Sequence, residues 1–234
     1  MRLLLSCLCF LASLAAEALP IDLASASYAT SAFAELGESS DGIDADASPP
    51  EALPLASHAL LENDGGDFAA ADALADAGFL SVSTEVASDL AVTGAVAEAT
   101  LRAELDQPGD YLLRLVFESV VEQAGLGSAS AVLGLSLDIA GVLLFDEQFD
   151  AAGEILRAFT LAPGQLAILD LHLLALGDAQ PPEDGGFLRV RNADSAFALA
   201  SVQAELDVNP VPTPGTLSLL SVALLPFAAR RMRR

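Results

Sequence analysis

Apolar side chains recur at every second position over long stretches of this chain, and that period fits a pleated strand with one buried face. Leu101, Ala103 and Leu105 alternate with Arg102 and Glu104, and Tyr111, Leu113, Leu115 and Phe117 alternate with Leu112, Arg114, Val116 and Glu118. Asp106-Gln107-Pro108-Gly109-Asp110 between them is a turn, because proline fixes φ and glycine accepts a positive one. Segments 132–139 and 142–149 flank Ala140-Gly141 as a hairpin. Segments 155–161 and 165–176 flank Ala162-Pro163-Gly164, and 187–191 and 196–206 flank Asn192-Ala193-Asp194. The pattern predicts a mainly β fold over residues 79–208, an antiparallel, jelly-roll-like β-sandwich. Alanine is a poor strand former, so the Ala-rich segments near 90–105 and 196–206 stay open to helix as well as strand.

The half before this pattern differs. Of 234 residues, 33 are acidic and 10 are basic, all ten arginine, for a net charge of -23. No Lys or Arg occurs between residues 19 and 101. Residues 35–54 combine Asp, Glu, Ser, Gly and Pro and predict a long loop or disordered linker. Residues 69–77 predict a short Ala-rich helix, preceded by Gly65-Gly66. The region 19–78 is therefore expected to be an acidic loop region outside the sandwich. With 53% hydrophobic residues, 6% aromatics and no Trp, the core must be Ala, Leu and Val. So acidic a chain is repelled by nucleic-acid phosphates and anionic surfaces.

Both ends carry a different pattern. Arg2, an apolar run from Leu3 to Leu14 and the small-x-small triplet Ala16-Glu17-Ala18 predict a signal peptide over 1–18, cut after Ala18 by signal peptidase. Cys7 and Cys9 both lie inside it, so the mature chain would have no thiol. At the other end a Pro-rich segment, Asn209 to Thr216, precedes an apolar stretch, Leu217 to Ala229, and the basic end Arg230-Arg231-Met232-Arg233-Arg234. Thirteen residues span about 20 Å as a helix. That is short of a hydrocarbon core of about 30 Å, but snorkelling arginines and local thinning compensate. The terminal arginines are expected to stay cytoplasmic.

The segment VPTPGTLSLLSVALLPFAARRMRR resembles the PEP-CTERM sorting signal of Gram-negative bacteria. That signal has a Pro-Glu-Pro signature, an apolar helix and an Arg-rich terminus. Val211, Pro212, Pro214 and Gly215 fit the motif, Thr213 stands where Glu is usual, and Arg230, Arg231, Arg233 and Arg234 form the basic end. A sortase motif of the Leu-Pro-x-Thr-Gly type fails, because Pro214 follows Thr213. The resemblance implies recognition by an exosortase-type transpeptidase, cleavage near 212–216, and an exopolysaccharide or biofilm setting. Loss of both ends would leave five arginines against 32 acidic residues, a net charge near -27.

Little in the body points to catalysis. His58 and His172 are isolated, His172 within a strand between Leu171 and Leu173. No Gly-x-Ser-x-Gly, Walker or dinucleotide motif occurs. Asp41, Asp44 and Asp46, and Asp64 and Asp67, sit in oxygen-rich segments that would suit calcium, though neither segment matches an EF-hand. The sequence therefore predicts an exported, non-enzymatic surface or extracellular-matrix protein without a cofactor. The alternatives are a secreted carbohydrate-binding sandwich module, or an inner-membrane protein anchored by its uncut tail.

Overall fold

The computed structural model describes residues 19–47, 53–181 and 194–210. The expected signal peptide, the strand at 187–191 and the C-terminal apolar helix lie outside these residues. Thirteen strands occur among those described: β1 (Leu19–Pro20), β2 (Ser27–Leu36), β3 (Ser39–Ala47), β4 (Leu55–Glu62), β5 (Phe68–Asp76), β6 (Phe79–Ser88), β7 (Thr93–Leu105), β8 (Gly109–Ala124), β9 (Ser128–Ile139), β10 (Val142–Phe149), β11 (Gly153–Leu161), β12 (Ala167–Ala179) and β13 (Asp194–Pro210). They form two antiparallel sheets. Sheet I runs β11-β8-β13-β6-β5-β4, with β1 on β13, and sheet II runs β10-β9-β12-β7-β2-β3. The last eight strands pair in nested fashion: β6 with β13, β7 with β12, β8 with β11, β9 with β10. Successive pairs alternate between the sheets, which is the winding of a jelly roll.

The period-two reading holds along these strands. Tyr111, Leu113, Leu115 and Phe117 are buried while Asp110, Leu112, Arg114 and Glu118 are exposed. Ala140 (φ 55°) and Gly141 (φ 83°) form the two-residue turn of the β9–β10 hairpin, the positive-φ pair that matches strand twist. The turns at 106–108 and 162–166 carry the chain from one sheet to the other, and 90–105 and 196–206 contribute strand rather than helix.

Residues 19–78 do not form a loop region. Most of 35–47 lies in β2 and β3, and the expected helix at 69–77 is strand β5. The physical reason is the same in both cases. β3 is the edge of sheet II, where charged residues on an exposed strand block further pairing. An edge of that kind and a loop have the same composition. In β5, Ala69, Ala71, Ala73 and Ala75 are buried against the other sheet while Asp72 and Asp76 face solvent. Tertiary burial therefore overrides alanine's helix propensity.

The core is divided by side-chain size. Around β8, β9 and β12 it is leucine: Leu113, Leu115, Leu133, Leu135, Leu137, Leu169, Leu171 and Leu173 are all buried. Around β2, β5 and β7 it is alanine, with Ala32, Ala97 and Ala175 in one cross-strand row. There β2 packs across the core against β4 and β5, with methyl groups between the sheets.

Two tyrosines each fasten a corner of the sandwich. Tyr111 Oη donates to Gln107 O at 2.6 Å, and its ring stacks on Phe159 with centroids 4.9 Å apart. Tyr28 Oη donates to Leu23 O at 2.7 Å and accepts from Gly78 N at 2.9 Å. Gly78 has φ 69°, and a Cβ there would sit 2.8 Å from Ala204 O, so only glycine fits this turn. At the open side, Arg157 of β11 bridges to Glu147 of β10, Nε donating to both carboxylate oxygens at 3.1 Å, and its guanidinium lies over Phe149. This pair ties the edge of one sheet to the edge of the other.

Two buried hydroxyls, those of Thr84 and Thr93, are uncompensated among the described residues. Thr84 Oγ1 is buried beside Gly177 with no hydrogen-bond partner among the described residues. Replacing a lone buried hydroxyl by a methyl of the same shape removes a desolvation cost. Thr84→Val should therefore raise stability by about 1 kcal/mol, seen as a higher urea midpoint at unchanged slope. A lower midpoint would show that the hydroxyl is satisfied.

Candidate binding face

The outer face of sheet II collects the groups most suited to holding a ligand. The register places Phe33 of β2, Val96 of β7 and Leu176 of β12 in one outward row. Phe33 and Leu176 are 39% and 38% exposed. The Phe33 ring lies over Gly42 of β3, where a Cβ would come within 3.2 Å of Cδ2, so glycine admits the ring. Two shallow hollows flank this row. One, of about 400 Å³, is lined by Phe33, Glu35, Gly94, Val96, Ser130 and Leu176. The other, of about 470 Å³, is lined by Ala29, Ser31, Asp44, Glu98 and Thr100. Small side chains at Ala29, Ser31 and Gly94 leave these hollows open.

His172 stands on this face, exposed between the buried Leu171 and Leu173, with Nε2 3.1 Å from Glu98 Oε1. Arg102 Nη1 lies 3.5 Å from Asp170 Oδ1. Other carboxylates on the face, at Glu35 and Asp44, give hydroxyl donors abundant acceptors. His58 is on the outer face of sheet I, its Nδ1 2.6 Å from Asp72 Oδ1. The two histidines are thus on opposite faces and share no site.

The calcium candidates with described side chains, Asp41, Asp44, Asp64 and Asp67, are not brought together. Asp41 and Asp44 are on β3 with Asp46, and Asp41 Oδ2 accepts from Leu60 N at 3.3 Å. Asp64 is exposed in the β4–β5 loop. Asp67 is fully buried, and its carboxylate is already used: Oδ1 accepts from Asp89 N at 2.5 Å and Leu90 N at 2.8 Å, and Oδ2 from Asn63 Nδ2 at 2.8 Å. Asn63 Oδ1 in turn accepts from Gly65 N and Asp67 N. Burial pushes the Asp67 carboxyl up, but the N–H groups of Asp89, Leu90, Asn63 and Ala91 outweigh it and hold the group below the usual aspartate value. Asp67 is a loop fastener. No group of three or more His, Cys, Asp or Glu suited to a metal occurs among the described residues. The sorting residues Val211 to Gly215 and Arg230, Arg231, Arg233 and Arg234, and Ala16 and Ala18, lie outside the described residues.

The Phe33–Val96–Leu176 row was not anticipated from sequence. Its only signal there is three apolar residues on the polar phase of their strands, and that phase becomes a row only when the register is known.

No protein-family model and no curated protein matches this chain. Among solved structures, a Kluyveromyces marxianus β-glucosidase bound to glucose is 14% identical at TM-score 0.22, over 53% of this chain and 12% of that one. TmCBM61 in complex with β-1,4-galactotriose is 7% identical at TM-score 0.23, over 54% of this chain and 81% of that one. A GH31 α-xylosidase from Xanthomonas citri is 11% identical at TM-score 0.22, over 84% of this chain and 19% of that one. At such TM-scores these likenesses carry no argument about function.

Proposed function

We propose that the chain is an exported, non-enzymatic surface or extracellular-matrix protein, whose sandwich is the delivered body and whose ends are addresses read by signal peptidase and an exosortase-type transpeptidase. One observation carries the reading. Among the described residues, both sheets and the core between them are built within Leu19–Pro210, which is the stretch that cuts after Ala18 and near 212–216 would deliver. The acidic body then stays soluble and repels its own copies. The intact mass of the protein in secreted and membrane fractions tests this. Loss of 18 N-terminal residues and of everything beyond the Pro212 to Thr216 region supports sorting. A mass retaining Arg230 to Arg234, found only in the membrane, leaves a fixed anchor instead.

The outer face of sheet II favours a second reading, a carbohydrate-binding module. An exposed aromatic ring beside carboxylates and hydroxyls suits a neutral sugar, whose apolar face stacks and whose hydroxyls donate. A glycan array should then return a neutral oligosaccharide, and Phe33→Ala should weaken its binding by tenfold or more with the melting temperature little changed. No binding across the array, or equal binding by the variant, sinks this reading.

A further inference from the structure

At its tip the β9–β10 hairpin departs from the alternation seen along most of the strands. A bulge between Leu143 and Phe145 inserts Leu144 as an unpaired residue, and a bulge re-aims side chains that the pleat would otherwise bury. Three consecutive apolar residues are left outside as a result: Val142 is 68% exposed, Leu143 56% and Leu144 50%. Leu166, 44% exposed, joins them from the β11–β12 turn, which is tied to the hairpin by Ala140 N donating to Leu166 O at 2.9 Å. The tip is held in place by Gly141 N donating to Asp138 Oδ1 at 2.7 Å.

The position of this tip gives it a partner. Pro210 pairs with Gly109, and Gly109 pairs with Leu161, so the end of β13 lies two strands from the β11–β12 turn, about 10 Å at ordinary strand spacing. The described chain therefore leaves the sandwich at the end that carries the apolar tip. Six residues, 211–216, separate it from the apolar stretch beginning at Leu217, and six extended residues reach about 20 Å at most. With that stretch in a bilayer, this end must stand close to the lipid surface. Asp106, Asp110 and Asp146 nearby are exposed acids, which oppose an anionic surface and leave a zwitterionic one.

We propose that Val142, Leu143, Leu144 and Leu166 form a lipid-contacting foot that rests on a zwitterionic bilayer and stands the sandwich end-on above the segment to be cut. The foot rests on the reading of Leu217 to Ala229 as a membrane segment. It adds that the body touches lipid before release, presenting the Pro212 to Thr216 region at the membrane surface.

The test uses the full chain with Cys7→Ser and Cys9→Ser, in phosphatidylcholine vesicles with and without nitroxide-bearing acyl chains. An environment-sensitive fluorophore is placed by Val142→Cys, separately by Leu166→Cys, and by Leu126→Cys as a reference at the opposite end. The foot predicts that all three proteins float with the vesicles, and that nitroxide lipids quench the labels at 142 and 166 severalfold more than the label at 126. Flotation with equal, weak quenching at all three sites overturns the foot and leaves the tail anchored. Failure to float overturns the membrane reading, and the foot with it. Concentration-dependent shielding of the labels without lipid quenching assigns the tip to a second copy and also overturns the proposal.

Discussion

Asp67→Ala should destabilise the sandwich by about 3 kcal/mol, since hydrogen bonds to a charged group are each worth about 1.5–3 kcal/mol and buried donors are left unpaired. The carboxylate joins two loops, β4–β5 through Asn63 and β6–β7 through Asp89 and Leu90. An alanine there would leave these donors facing a void. Asp67→Asn should lose roughly half as much. Its oxygen can still serve Asp89 and Leu90, but its amide meets the Asn63 amide, and Asn63 cannot turn over without releasing Gly65 N and Asp67 N. The two variants, compared with the parent by urea denaturation, check both values.

The same group gives a pH dependence of known sign. Its folded-state value is depressed, so its contribution is fully present above the unfolded aspartate value of about 3.9 and is lost as pH falls through the lower folded value. The gap between the parent and Asp67→Asn should be constant from neutral pH to about 5 and close below about 4. A gap that persists unchanged into strong acid would mean that the charge contributes nothing.

Ala97→Leu should cost about 3 kcal/mol, at the upper end of ordinary overpacking. Ala97 is fully buried between Ala32 and Ala175, in the alanine-lined half of the core. Three added carbons have no void to enter and must push the sheets apart along the row. A matched Leu135→Ala in the leucine half should cost a similar 2–5 kcal/mol by leaving a cavity. Opposite changes in volume, each destabilising its own half, would show that both halves are closely packed. If Ala97→Leu were neutral or stabilising by urea midpoint, the alanine half would be loosely packed.

Legibility from sequence followed burial. Most strands from Phe79 onward announce themselves because they have one face in the core and one in solvent, and alternation records that contrast residue by residue. β3 was hidden because, as a solvated edge, its sequence SSDGIDADA is that of a loop. β5 was hidden because its alanines read as a buried strand face only after both sheets are known. The binding face depends on the register of three strands distant in sequence, Phe33, Val96 and Leu176, and no local pattern holds that information. Asp67 was legible as chemistry but not as role: an acid in a Gly-rich turn reads as a cation ligand until the N–H groups of a loop 22 residues away are seen to occupy it.

The two fastened corners also make this chain its own optical instrument. Tyr28 and Tyr111 are the only tyrosines and there is no tryptophan, so all near-ultraviolet emission above the phenylalanine background comes from two rings. One sits in the alanine half and the other in the leucine half, each with its hydroxyl held by a backbone carbonyl. Tyr28→Phe leaves a chain whose emission reports one half alone, and Tyr111→Phe leaves the other. Coincident or separated transitions in this pair then reveal whether the sandwich melts as one unit or two, with no label added.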